Sequence, residues 1–574
     1  MKKITFIITI AFSLLASSSC KKEILDVKSS SLLTLDNYFA TYKDCRAATA
    51  PLYTEVWYAF SSQYYFSLGD GKGGNMFTPY SGGASFIRWT ETSETADLNN
   101  AWASLYLVVT QSDYVINNIS LALTHGVSQA NVNACTAEAR FMRGLAYWYL
   151  GSCWGNVPIV EDPAAAAKNF LTPPNYFEDV LQYAIRDLEY AAQWLPATDD
   201  KGRVTKSSAL GILSRLYITA ACYARGNKFS AKWTKTANDY YTLAKNDAKL
   251  VCSDPNYSLM PDYEQLFRVQ NNNNSESLFS LQFVPGSSVY GTGNRNQDWL
   301  AFGTAVTDGL TAYGGYVYAS ADLVNLMYNR HEVSRQKATY FYPGAVYTYL
   351  TGSPQSPTYL NAAGNFVIPA GFGYPTFKKH VVGNVRDSGG AAINGNSGLA
   401  APMLRLAEVY LLYAEATLGT NATTSDPDAL LYFNKVRNRA GLASVSQIGL
   451  QDIRDERRCE LAMEGQYWYD IVRWAYWDQA NVLDYINNPA TVTAANPTGV
   501  QNGDPNKMHR AQYYYYLSGT TPNGFTFRFN TDKSPTLDGY PLNPATAAQL
   551  VLPYPATELV LNPSLRNTPV PFNF

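Results

Sequence analysis

Along most of this 574-residue chain, apolar positions recur three and four apart, the spacing that gives a helix one buried face. The pattern predicts a helix with a mixed polar face around Tyr38 to Tyr58. It is lost over 61–95, where Gly69, Gly71, Gly73, Gly74, Gly82 and Gly83 break any helix and aromatics are interspersed. It returns at Asp97 and persists to about Leu123, with Trp102, Tyr106, Val109, Val115 and Ile119 in phase. A second long helix is predicted from about Gln129 to Leu150, meeting a partner through Ala139, Met142, Ala146 and Tyr149. Further helices fit 175–195, 206–224 and 234–252, with Pro196 ending one and Gly226 another.

The middle of the chain, about 255–400, breaks this rhythm with the Asn271–Asn274 run, glycine clusters and short β-like pieces such as Leu278–Val284. Residues 343–400 contain no convincing helix, and irregular stretches of that length are functional or well tied down. Helices resume at 402, with Pro402 suited to a first turn and Leu406, Tyr410, Tyr413 and Thr417 on one face. The next helix has clear boundaries: Asp426 as N-cap, Pro427 at the first helical position and Gly441 just past the end. A third runs from about Leu450 through Glu464, and the tail from 480 reads as aromatic, Pro-rich loop. The expected fold class is mainly α with a few short strands. Paired amphipathic helices with short turns, about every 35–45 residues, point to degenerate tetratricopeptide-like repeats; a generic helical domain is the alternative. The expected organisation is a leader at 1–19, a helical region at 20–254 and a C-terminal region at 255–574. That last region divides into loop-rich 255–400, helical 402–478 and a loop-rich tail at 480–574.

The leader has its own pattern: Lys2 and Lys3, an apolar run from Ile4 to Leu15, the small residues Ala16 to Ser19, then Cys20. The run is too short for a stable membrane span and fits a cleaved export signal. A cysteine directly after the small residues suggests acylation there, so that the mature chain starts at a lipidated Cys20. Ordinary secretion with an incidental cysteine is the alternative, and Leu15 lies farther upstream than usual. Beyond the leader, no apolar stretch of eighteen or more follows, so anchoring would rest on acyl chains alone.

Composition narrows the partners. Lys plus Arg total 44 and Asp plus Glu 46, a net charge of −2, which gives no basic footprint for nucleic acid. Charged residues are 16%, against about 25% in typical soluble domains. Hydroxyl, amide and aromatic residues take their place, including 44 tyrosines, and such a surface suits neutral hydrogen-bonding ligands. Besides Cys20, the cysteines at 45, 135, 153, 222, 252 and 459 are sparse, without a CxxC pair. They read as small buried hydrophobes rather than a disulfide framework or zinc site.

Catalytic chemistry has no visible anchor. GDGKGG at 69–74 satisfies G-x-G-x-x-G, yet NMFTPYSGG follows it where a phosphate-binding helix would have to begin. Glu456, Glu460 and Glu464 recur every four residues among Arg454, Arg457 and Arg458. They read as helix-surface ion pairs of about 0.2–0.5 kcal/mol each rather than acid–base groups. His125, His331, His380 and His509 form no ligand spacing, and GxSxG is absent.

Loop aromatics are the remaining signal. Trp89 follows the glycine-rich loop, and Trp299 sits in GTGNRNQDWLAFG beside Arg295, Asn296 and Asp298, with Tyr290, Tyr313, Tyr316 and Tyr318 nearby. A flat ring covers the C–H face of a sugar while amide, carboxylate and guanidinium groups meet its hydroxyls. The expected ligand residues are Tyr65, Asp70, Trp89, Tyr290, Arg295, Asn296, Asp298, Trp299 and Tyr316. For each aromatic singly, packing of loop onto helix is the competing role. No cofactor is expected; whether calcium orders the Gly-rich or Asp-containing loops is open at this point.

Several segments together resemble the SusD/RagB family of outer-membrane nutrient-binding lipoproteins of Bacteroidota. They are CKKEILDVKSSSLLTLDNYFAT at the expected mature start, AEARFMRGLAYWYLGSCWGNVPIV at 137–160, MLRLAEVYLLYAEA at 403–416 and LLYFNKVRNRAGL at 430–442. IRDERRCELAMEGQYWYDIVRW at 453–474 is the most specific, and LPYPATELVLNPSLRNTP at 552–569 closes the set. Lys-Lys-Glu after Cys20 is similar to the family's surface-export signal. The resemblance implies about four tetratricopeptide-like units, no catalysis, and a lid on a SusC-like TonB-dependent transporter. In that role the protein would be lipid-anchored at the outer-membrane surface and pass neutral oligo- or polysaccharide inward. The family also includes oligopeptide-binding lids, which is the alternative ligand class. A glycoside hydrolase and a pure protein scaffold are the remaining readings. The family's ligand sites come from variable loops, so the resemblance carries over no ligand residue.

Overall fold

The structure is a computed structural model describing residues 38–78, 84–285, 293–300, 304–307, 317–369, 375–393, 396–487, 515–518, 526–529 and 545–574. Helix α1 (Tyr42–Thr49) opens on a capping box between Thr41 and Asp44. The long helices α2 (Ala96–Asn118), α3 (Gln129–Trp154), α4 (Phe177–Trp194), α5 (Lys206–Arg225) and α6 (Ala237–Cys252) follow. Local signals set their starts: Ser128 caps α3, and capping boxes at Thr205 and Thr236 open α5 and α6. Helices α7 (Leu406–Leu418), α8 (Pro427–Arg439), α9 (Leu450–Leu461) and α10 (Tyr467–Asn487, kinked at Asp478) follow the irregular segment, and α11 (Ala556–Leu561) lies near the C-terminus.

Neighbours in the chain pack on one another: α2 on α3, α3 on α4, α4 on α5, α5 on α6, then α6 on α7 and α7 on both α8 and α9. Among the described residues this makes a tetratricopeptide-like stack of three successive helix pairs, with α8 and α9 both resting on α7. The third pair joins α6 to α7 across more than 150 residues, so the loop-rich segment is an insertion within that unit. Close approach within the stack depends on small residues. A methyl group on Gly144 of α3 would lie 3.0 Å from the Ala184 carbonyl oxygen of α4. One continuous apolar core runs from Phe39 to Leu565 through the repeats and the base of the insertion. All six cysteines of the described residues are free and buried.

Several boundaries differ from the sequence reading. Pro402 lies not in a helix but in strand β4 (Ala401–Arg405), which pairs antiparallel with β2 (Ser277–Leu281), Ser280 opposite Pro402. A proline is tolerated on so small a sheet because one of its sides faces no further strand. The glycines after 61 do not abolish helical backbone: residues 60–64 and 67–72 form wide π-type turns, and a short helix spans Ala84–Arg88. Helix α9 ends at Leu461 rather than Glu464, and α10 continues past 480 to Asn487.

The acidic stripe is also placed differently. Glu456, Glu460 and Glu464 are buried, not on a helix surface. A step of four residues advances only about 40° round a helix, so Glu456 and Glu460 form one stripe, and Glu464 joins them from the turn after α9. That stripe meets arginines from distant segments. Arg405 grips Glu464 through two bonds of 2.7 Å, Lys379 reaches it at 2.9 Å, Arg437 meets Glu456 at 3.1 Å, and Arg439 and Arg335 meet Glu460. The helix's own arginines turn elsewhere: Arg457 to Asp470 at 2.8 Å, Arg458 to Asn75 at 2.8 Å, and Arg454 over the Trp474 ring at 4.2 Å.

Candidate functional site

The two loop windows singled out in the sequence, 64–89 and 290–318, meet in the fold. Strand β1 (Met76–Phe77) pairs antiparallel with β3 (Tyr318–Ala319), Phe77 opposite Tyr318, and the two rings stack with centroids 6.3 Å apart. The junction is tied on both sides. Ser320 N–H donates to the Asn75 carbonyl at 2.9 Å, and Ala319 N–H to the Pro375 carbonyl at 2.8 Å. Phe77 is half-buried and Tyr318 buried. Phe77 carried no sequence signal, since one aromatic in an irregular loop looks like any other.

A short helix, Asn296–Leu300, carries positions 298 and 299. Its placement depends on Gln297, whose side chain is fully buried. The amide oxygen accepts from Val382 N–H at 2.6 Å and Gly383 N–H at 2.9 Å, and the amide nitrogen donates to the Gly383 carbonyl at 2.8 Å. Just before it, Asn294 exchanges backbone bonds with Ser397 and donates from its side chain to the Leu399 carbonyl at 2.8 Å. Asn296 is buried, with its backbone N–H on the Asn294 side chain at 2.9 Å and a side-chain oxygen that has no partner among the described residues. Arg295 is exposed. The side chains of Asp298 and Trp299 lie outside the described part of the helix, as do Tyr290, Tyr313, Tyr316 and Cys20 altogether.

Four expected ligand contacts, Asn296, Tyr65, Asp70 and Trp89, are corrected by burial, because a side chain without open surface cannot meet a sugar. Tyr65 is buried, donating to the Pro402 carbonyl at 3.1 Å and accepting from Gln466 at 3.1 Å. Trp89 is 1% exposed, packs edge-to-face on Trp468 at 5.1 Å, and covers the ammonium of Lys72 at 3.9 Å. Lys72 in turn pairs with Glu91. Asp70 accepts the backbone N–H of Met463 at 2.8 Å and of Gly465 at 2.7 Å, plus the Asn75 side chain at 2.9 Å. Burial pushes its carboxyl up to about 6, against the pull of those three donors. These residues form the footing beneath the loops.

The glycines of GDGKGG serve the same footing. A methyl group on Gly69 would lie 2.2 Å from the Gly465 carbonyl carbon, and one on Gly465, whose φ is +67°, would lie 2.7 Å from the Tyr65 ring. Backbone thus approaches backbone between this loop and the turn after α9. Below, His380 gives a ring nitrogen to the Met463 carbonyl at 2.6 Å, and burial holds its imidazole down to about 4. Burial raises the Glu464 carboxyl, but Arg405 and Lys379 outweigh it and hold the group down to about 2. Among the described residues, no three His, Cys, Asp or Glu side chains are grouped so that they could hold a metal ion.

Stacked helix pairs carrying an inserted, side-chain-pinned loop assembly define a helical-repeat scaffold that presents loops. The SusD family model matches residues 217–570, and a second, described as "Starch-binding associating with outer membrane", matches residues 25–218. A SusD-like protein of Bacteroides ovatus is 34% identical over 569 residues, covering 99% of this chain and 98% of that protein. The starch-binding protein SusD of Bacteroides thetaiotaomicron is 24% identical over 68% of this chain and 71% of that protein. A crystal structure solved with xylogluco-oligosaccharide superposes with a TM-score of 0.78 at 32% identity, covering 92% of this chain and 99% of that one. The chain belongs to the SusD family.

Proposed function

We propose that this protein captures oligo- or polysaccharide outside the cell and hands it intact to a TonB-dependent transporter. The observation that carries the reading is the relative solved with xylogluco-oligosaccharide, 32% identical and alike over nearly the whole fold. The loop face supports it: a half-buried aromatic ring, Phe77, and an exposed arginine, Arg295, are the kinds of group a neutral sugar engages. Lipidation at Cys20 would hold the protein at the outer membrane, in keeping with the description of the family model over 25–218. Among the described residues, no helix is long and apolar enough to cross a membrane. The reading is non-catalytic. Hydrolysis of a glycosidic bond needs two carboxyl groups about 5–9.5 Å apart flanking the bond, and the regular carboxylates of α9 are buried against arginines.

Calorimetry of the chain starting after Cys20 against neutral polysaccharides, xyloglucan among them, is the test. Binding to at least one is expected, with no new reducing ends. Trp299→Ala is expected to weaken it at least about tenfold, about 1.4 kcal/mol, without lowering the melting temperature. No binding across the panel, or release of reducing ends, would overturn the reading. Unchanged affinity in Trp299→Ala would remove that residue from the site.

A further inference from the structure

A second aromatic-walled hollow lies on the helical stack, built from none of the segments of the loop face. It opens between the end of α3, the start of α4, the end of α5 and the middle of α10, and its volume is about 260 Å³. Phe177, Tyr223 and Tyr476 form its wall, a closed triangle of rings with centroids 5.1, 5.2 and 5.4 Å apart. Tyr223 and Tyr476 are half-buried, so each keeps open surface toward the hollow. The triangle is fixed by backbone contact from behind. A methyl group on Gly226 would lie 2.0 Å from the Tyr476 carbonyl oxygen, so α5 and α10 are as close there as backbones can be.

The polar groups around this wall are uncommitted. Tyr223, Tyr476, Ser152, Lys228 and Gln479, which carry hydroxyl, ammonium and amide groups, all line the hollow. None of these five groups has a hydrogen-bond or ion-pair partner among the described residues. A hollow of about 310 Å³ at the other end of α5, near Asp200 and Ser280, differs. There Tyr257 is bonded to Thr205 at 2.8 Å, Asn273 to Gln282 at 2.8 Å and Ser277 to Ser280 at 2.9 Å, so its polar groups already answer one another.

An apolar wall of flat rings with a rim of unanswered hydroxyl, amide and ammonium groups matches one kind of ligand. A pyranose presents a C–H face to the rings and a ring of hydroxyls to the rim. We infer that this hollow is a second saccharide site, which takes a single pyranose unit of a neutral glycan on the helical scaffold. The inference does not depend on the loop face binding anything.

Methyl-resolved NMR of the chain starting after Cys20 reads the two places separately. Val472 and Val551 line the hollow, and Ile87 lies on the short helix of the loop face. Titration with methyl β-glucopyranoside, and separately with a xylogluco-oligosaccharide, is expected to shift the valine methyls saturably. The double variant Lys228→Ala, Gln479→Ala is expected to raise the dissociation constant read at those methyls at least about tenfold, with an unchanged melting temperature. Valine methyls that stay silent under both sugars overturn the second site, whatever Ile87 does. Valine shifts that survive the double variant unchanged overturn the role of the rim. An Ile87 methyl that alone stays silent counts against the loop face and leaves the second site standing.

Discussion

Single residues carry unusual charge burdens here. Glu464 lies just past α9, buried with Arg405 and Lys379, and Glu460 shares Arg405. Replacing such a cluster whole by apolar groups can be neutral, but removing one partner strands the others in a low-dielectric interior. Glu464→Gln is therefore expected to cost about 3–5 kcal/mol at neutral pH, measured by urea unfolding. The pH dependence follows from its depressed carboxyl. The ordinary value is 4.5 and the folded value about 2, so this contribution is complete above 4.5 and is lost as pH falls toward 2. The stability gap between wild type and Glu464→Gln is expected to narrow over that window. A gap that stays constant down to pH 2 would mean the carboxylate does not act through its charge. The four-residue spacing of these glutamates was visible in the sequence, but their burial was not, because the arginines that neutralise them come from other segments, between residues 330 and 439.

Elements differ in how far local signals define them. The Asp426 side chain caps α8 by accepting Ala429 N–H at 2.9 Å, Pro427 is its first residue, and Gly441 sits just past the end at φ +84°. All three signals lie within one turn of the boundary they mark, which is why the sequence alone placed them. The strand at 401–405 had no such signal, since its partner at 277–281 is about 120 residues away and pairing outweighed the helical start suggested by Pro402. The helix Asn296–Leu300 is a similar case, too short to stand alone and held by Gln297. Gln297→Ala would leave two amides and a carbonyl of Val382–Gly383 without partners, each costing about 1–3 kcal/mol if still buried. The segment is expected to loosen instead. Amide hydrogen exchange should rise over 293–300 and 380–384 and stay unchanged in α2–α6. No rise at 293–300 would show that Gln297 is not its tether.

The whole molecule joins a regular stack to an irregular insertion. In the proposed arrangement the stack is tethered through Cys20 while the insertion meets the glycan. Cys20→Ser is expected to shift the protein from the outer-membrane fraction to a soluble one, read by cell fractionation, with glycan affinity of the purified chain unchanged. Retention at the membrane would remove lipidation from the account. The helical stack, the cap at Asp426 and the family likeness were readable from residue order, because helix formation, capping and amphipathic spacing are short-range. The neighbourhood of 64–89 and 290–318 was read only as a shared chemistry of loops. Which of their side chains turn inward was decided by the packed fold. Tyr65, Asp70 and Trp89 look like loop residues in a linear chain, yet contacts with Pro402, Met463, Gly465 and Trp468 bury them. Burial is a property of what arrives from hundreds of residues away, and no local pattern encodes that arrival.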